Sequence, residues 1–195
     1  MDNDRKTLIN FIRSTFPISE FASKTTAENF QQIRYRKNDF VLNEGQICSD
    51  YLFLEQGFMR AFVYDTTGDD VTTGFFSTNE MVFEVSSYFQ RTPSKENIQA
   101  LTDCLGWVGN YRQLQPLFHS LPEYREFGRA ILVKGVIALK ERTLSMITQK
   151  AEERYETLLK SNPAIFQNAP LKYIASYLGI TDTSLSRIRK EFAHK

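Results

Sequence analysis

Two cysteines, Cys48 and Cys104, and two histidines, His119 and His194, are all the thiol and imidazole chemistry in 195 residues. Two thiols are too few for an iron–sulfur site or a disulfide framework, which fits a reducing compartment, and no zinc spacing is present. Haem ligation would need at least one histidine lining the β-rich region. His119, near the entry to a long helix, and His194, in the terminal tail, read instead as ordinary surface or boundary residues. The cysteines are expected to be buried as small apolar groups rather than poised as redox sensors.

Nine glycines and six prolines form neither a phosphate-binding loop nor a nucleophile elbow. The acid pairs Asp69-Asp70 and Glu152-Glu153 sit beside a turn or on a polar helix face, where solvation explains them. No catalytic residue, metal ligand or enzyme activity is therefore assigned. No apolar run approaches the roughly 20 residues of a membrane span. The opening MDNDRKTLINFIRSTFPI lacks the basic region and clean apolar core of a signal peptide. A cytoplasmic protein without a membrane partner is the expectation.

Charge of one sign is also missing: 24 Lys and Arg face 23 Asp and Glu, which excludes a polybasic or histone-like protein. The average hides an asymmetry. Residues 170–195 hold five bases and two acids, leaving 19 bases and 21 acids in the first 169 residues, so only the last segment invites a polyanion. With 42% hydrophobic and 24% charged residues, the chain is globular and long enough for one or two domains.

Residues 1–34 read as helices. Leu8, Ile9, Phe11, Ile12 and Phe16 cluster on one face before Pro17, and a second piece carrying Phe21 and Phe30 is expected to start behind Thr25 and Thr26. From Tyr35 to Val108 the period shortens. The stretches Phe40-Val41-Leu42, Tyr51 to Leu54, Met59 to Tyr64 and Val71 to Phe76 alternate with turn signals at Asn43-Glu44-Gly45, Gln56-Gly57 and Thr67-Gly68-Asp69-Asp70. That spacing predicts an antiparallel sandwich or roll. From about Pro122 to Ser161 a long helix and a shorter one are expected, and the first half of that stretch is apolar on more than one side. Gly128, Leu132, Gly135, Leu139 and Met146 fall near coiled-coil spacing with Ile131 beside them. They make a candidate dimer seam, with an internal helix of a monomer as the other reading.

The carboxyl end, PLKYIASYLGITDTSLSRIRKEF, has the sharpest pattern. Leu171, Ile174, Ala175 and Leu178 form one apolar helical face; Gly179 ends that helix, Ile180 plugs the corner and Thr181 caps the next. Leu185, Ile188 and Phe192 then face inwards. Two short helices joined by a glycine turn predict a helix-turn-helix. Its DNA-facing set is Thr181, Asp182, Thr183, Ser184, Ser186, Arg187, Arg189 and Lys190, with short hydrogen-bonding groups near the amino end and cations further along.

On Gly45 and Gly57 at turns, the long helix, Ile174-Ala175, Leu178-Gly179-Ile180-Thr181 and Leu185-Ser186-Arg187-Ile188, the sequence resembles the Crp–Fnr family of bacterial transcription regulators. The resemblance implies an α+β chain in three parts. Residues 1–121 would hold N-terminal helices and a cyclic-nucleotide-binding-like β-roll, 122–149 the dimerisation helix and 150–195 the helix-turn-helix. It also implies a homodimer on double-stranded DNA with a two-fold symmetric operator, and brings RNA polymerase as a candidate partner.

In cyclic-nucleotide-binding members, a cassette from Gly-Glu-Leu to Arg-Ser/Thr-Ala holds the phosphate and ribose. The matching stretch here looks like Asn79, Glu80 and Met81 through Ser94, Lys95 and Glu96, which form the candidate effector pocket. Asn79 replaces the glycine and Ser94 the arginine. Lys95 lacks the planar fork, and Glu84 and Glu96 repel an anion. No cofactor is therefore assigned, a cyclic nucleotide is not expected and the effector stays unnamed. A second class remains open: a ligand- or protein-binding module whose helix-turn-helix is a protein contact. It is kept because the chain stops at Lys195, with no strand to complete a wing.

Overall fold

The computed structural model describes residues 5–193. His194 and Lys195 therefore lie outside the described residues. The described chain opens with α1 (Lys6–Thr15) and α2 (Glu20–Glu28) and enters the sheets through β1 (Gln31–Tyr35), β2 (Phe40–Leu42), β3 (Asp50–Gln56), β4 (Met59–Tyr64), β5 (Asp70–Phe76) and β6 (Glu80–Val82). A short α3 (Val85–Gln90) precedes β7 (Asn97–Ala100) and β8 (Cys104–Asn110). Helices follow: α4 (Tyr111–Ser120), α5 (Pro122–Thr148), α6 (Ala151–Ser161), α7 (Ala164–Asn168), α8 (Leu171–Leu178) and α9 (Asp182–Ala193).

The strands form two antiparallel four-stranded sheets, ordered β1-β8-β3-β6 and β2-β7-β4-β5. Their buried residues, with Phe53, Leu54, Met59 and Ile98 at 0–1% exposure, make one core. The expected antiparallel roll is thus present, and its longer strands fall on the stretches with period-two patterning. Two boundaries differ from the sequence reading. β1 begins at Gln31, inside the stretch read as helical, because those residues pair with β8 from Gln31↔Val108 to Tyr35↔Cys104. Thr25 and Thr26 do not start α2; Ser19 does, its hydroxyl accepting from the Ala22 amide at 3.2 Å.

Apolar faces of α1 and α2 close over the first turns of α5. Phe11 stacks 4.7 Å from Phe53 and meets Phe127 edge-on, while the Ser19 amide and hydroxyl donate to Glu123 at 2.7 and 3.0 Å. A second core joins Tyr155, Ile165, Ile174, Ala175, Leu178, Leu185 and Ile188 to Phe58 and Leu101 of the roll. The C-terminal helices therefore rest on the β4–β5 side of the roll instead of hanging from α5 alone.

Candidate nucleic-acid interface and ligand pocket

The α8–α9 pair is built by local chemistry. Ile174, Ala175 and Leu178 are buried, whereas Leu171, expected on the same face, is 37% exposed in the first helical turn. Gly179 takes φ 66°, and the Ile180 amide donates back to the Ala175 carbonyl at 3.0 Å. That is the bonding a left-handed terminator provides. The Arg154 guanidinium donates to the Leu178 carbonyl at 2.9 and 3.2 Å, placing a cation at the negative end of α8. Thr181 then caps α9, its Oγ1 accepting from the Ser184 amide at 3.2 Å and donating to the Ser184 hydroxyl at 3.0 Å. Those two hydroxyls, counted among the DNA-facing groups, are thus engaged with each other.

Leu185 and Ile188 are fully buried, and Phe192 packs 5.1 Å from Tyr155. This rotation leaves Asp182, Thr183, Ser186, Arg187, Arg189 and Lys190 exposed. Arg187 lies 4.0 Å from Glu152 and 3.9 Å from Glu191, long separations for exposed groups that leave its guanidinium available.

The six cassette residues do not assemble an anion site. Asn79 occupies a left-handed turn with φ 66°, and Glu80 accepts from the Ser77 amide at 2.7 Å. Met81 is buried core. Ser94 is 3% exposed and ties the loop together: its hydroxyl donates to the Glu96 carbonyl at 2.8 Å and accepts from the Glu96 amide at 3.0 Å. Lys95 points to solvent. Burial raises both Glu80 and Glu96 above the ordinary carboxylate range. The sequence reading missed α3 and its cap. Glu84 accepts from the Ser86 and Ser87 amides at 2.9 and 2.6 Å, so a carboxylate of the chain already fills the helix start. The Glu-Val-Ser-Ser run was the available signal.

Residues 32–120 match the family model described as the cyclic nucleotide-binding domain. This stretch is a cyclic nucleotide-binding domain. Around it the chain has the fold of the Crp–Fnr regulators. It is similar to the c-di-GMP-responsive global regulator CLP of Xanthomonas campestris, with 16% identity, TM-score 0.70 and coverage of 90% of this chain and 92% of that one. FixK2 of Bradyrhizobium japonicum is similar at 15% identity and TM-score 0.72, over 85% of each chain. So is a putative Crp/Fnr-family transcriptional regulator of Eubacterium rectale, at 15% identity and TM-score 0.70 over 92% of this chain and 88% of that one. No curated protein matches the sequence.

Several residues assigned to a dimer seam on the helix that follows the cyclic nucleotide-binding domain face their own chain. A Cβ added at Gly128 would stand 3.5 Å from the Phe118 ring, Ile131 packs on the main core, and Met146 reaches over Gly179. Gly135 and Leu139 remain exposed. The larger exposed apolar face, which the spacing argument passed over, carries Val133, Val136, Ile137, Leu144 and Ile147. Both cysteines are buried, and burial pushes both thiols up, away from the reactive thiolate. Among the described residues no group of three or more His, Cys, Asp or Glu could hold a metal ion, and no helix is long and apolar enough to cross a membrane.

Proposed function

We propose that this chain is a homodimeric, sequence-specific DNA-binding transcription regulator of the Crp–Fnr type that does not answer to cyclic AMP. The observation that carries the reading is the division of α9, with an apolar side locked into the C-terminal core and an outer side of hydroxyl groups followed by Arg187, Arg189 and Lys190. A recognition helix needs that arrangement, since its amino end enters the major groove and cations meet bases or phosphates. The likeness in fold to regulators supports it, and regulators rather than enzymes are what the comparisons bring. DNA is the partner proposed here, with RNA polymerase a further one in the same role.

Gel-shift assays against promoter-sized duplexes with competitor test the reading. Arg187→Ala should weaken the operator complex by about 1–3 kcal/mol and relax preference at one base pair per half-site, because an arginine fork can bond both guanine acceptors. Lys190→Ala should weaken all duplexes alike and reduce the salt slope by roughly one unit per monomer. If both variants lower specific and non-specific binding by one common factor, Arg187 reads no base. A protein that shifts no duplex at all returns the helix-turn-helix to a protein contact.

Dimerisation through α5 is supported by its exposed apolar side chains, with Ile137 at 52%, Val136 at 65% and Ile147 at 75%. Ile137→Asp should give a monomer by light scattering at micromolar concentration, where the unaltered chain gives a dimer. A monomer from both proteins overturns the assembly.

A further inference from the structure

Beside the junction of α4 and α5 lies a pocket of about 230 Å³ with mostly aromatic walls. Tyr51 of β3, Tyr88 of α3 and Tyr124 of α5 line it, each more than nine-tenths buried. The rings of Tyr51 and Tyr88 are 5.8 Å apart. Among the described residues none of the three hydroxyls is hydrogen-bonded to the protein. None of the three hydroxyl oxygens is sealed from solvent, so water can serve them while the pocket is open, and an acceptor that enters takes the place of that water. Three such donors around one aromatic-walled space suit an occupant that carries a hydrogen-bond acceptor. Burial raises all three phenols far above solution pH, so each stays a neutral donor.

Charge and size narrow the occupant. No Lys, Arg, Asp or Glu lines the pocket. The guanidinium of Arg91, 4.2 Å from the Tyr111 ring, is held by the Cys48 carbonyl at 2.8 Å and the Ser49 hydroxyl at 2.9 Å. An ionic ligand would lose water and gain no counter-charge. His119 stands at the exposed rim, bonded with Gln115 at 3.4 Å. A cavity of about 150 Å³ accepts benzene, so this one suits a molecule of about nine heavy atoms. None of the six cassette residues lines it.

We infer that this pocket is a second ligand site, which uses Phe83, Tyr88 and Phe89 from within the cassette stretch but none of its six candidate effector residues, for a small, uncharged, planar aromatic molecule bearing a carbonyl or similar hydrogen-bond acceptor. Tyr124, Gly128 and Leu132 of α5 form one wall, so occupancy acts on that helix; this regulatory clause alone rests on the function proposed above.

The test titrates the full chain, without DNA, with acetophenone, benzoate and ethylbenzene, three probes of nearly equal size, while the methyl resonances of Leu114 and Leu132 are followed by NMR. Acetophenone should produce saturable shifts at both leucines, and benzoate should bind at least about tenfold more weakly because its charge is unpaired. In the Tyr88→Phe/Tyr124→Phe variant, acetophenone should weaken by about tenfold while ethylbenzene binds as before or better. Should that variant fold poorly, either single substitution should cost acetophenone about threefold. Shifts that do not saturate, benzoate binding as well as the ketone, or tyrosine variants that bind the ketone like the unaltered chain would each overturn the site. Because no DNA is present, failure of the gel shifts leaves this result standing, and the reverse also holds.

Discussion

Asp70→Ala should destabilise the protein by about 3–5 kcal/mol and loosen the C-terminal helices from the roll. Asp70 Oδ2 lies 2.6 Å from Arg60 Nη1, and Oδ1 lies 2.8 Å from Lys172 Nζ. Arg60 is 3% exposed, clamped between the rings of Phe62 at 4.0 Å and Tyr173 at 3.4 Å. Removing the carboxylate strands a buried guanidinium with only the Gln99 side chain, 3.3 Å away, as a polar neighbour. Lys172→Ala should cost under about 1 kcal/mol, because that ammonium is more than half exposed and finds water instead. Adding Arg60→Met to Asp70→Ala should recover much of the loss, since the charge that needed a partner is gone.

The same cluster sets an acid limit. Burial alone would raise the Asp70 carboxyl, but the hydrogen bonds and charges of Lys172 and Arg60 prevail and hold it below its ordinary value. A carboxyl depressed in the folded state stabilises fully above its unfolded value of about 3.9, and that contribution is lost as pH falls through the lower folded value. Denaturant unfolding at pH 7, 4 and 3 checks both statements: stability should fall more steeply with acid in the unaltered chain than in Asp70→Ala. Equal slopes, or equal costs for Asp70→Ala and Lys172→Ala, contradict the account.

The second large effect is expected at Gly57. Its φ is 107°, and an added Cβ would stand 2.5 Å from Cys104 Sγ and 2.7 Å from the Asp103 carbonyl oxygen. The conformation costs an alanine about 1–3 kcal/mol, and overlap with a backbone carbonyl that cannot step aside adds about as much again. Gly57→Ala should therefore lose about 3–5 kcal/mol in denaturant unfolding. Gly45 shares the turn chemistry with φ 84° but has nothing within 4 Å of the added atom, so its alanine variant should lose only about 1–2 kcal/mol. Equal losses at the two sites would show that contact with residues 103–104 is irrelevant.

The C-terminal helix pair was readable because its signals are local: an apolar period of 3.6, one glycine and one capping threonine within two dozen residues. The longer strands were readable for a similar reason, since alternation and turn residues lie side by side. β1 was not, because Gln31-Gln32-Ile33-Arg34-Tyr35 becomes a strand through partners on β8 that the local pattern does not announce. β6 and α3, of three and six residues, are too short to show a period. On α5 the apolar residues encircle the helix, so spacing alone does not separate the side that packs on Phe118 and the roll from the side left exposed. Glu84 counted in the sequence only as a charge that repels an anion, because nothing local announces that its side chain caps a six-residue helix. The tyrosine pocket was invisible for another reason, because Tyr51, Tyr88 and Tyr124 are far apart in sequence and meet only when the roll closes.

The pairing of β1 with β8 also orders events at the ribosome. Gln31 meets Val108, and at about 5–20 residues per second the intervening chain takes roughly 4–15 seconds to emerge. Throughout that interval β1 has no partner, whereas β3 can already pair with β6, and β4 with β5 and β7. Helices of ten and nine residues are marginal alone, so α1 and α2 settle only once Phe53 and the first turns of α5 are there to pack against. The second sheet can therefore be complete while the first is still open, and β8 is the segment whose arrival joins β1 to β3.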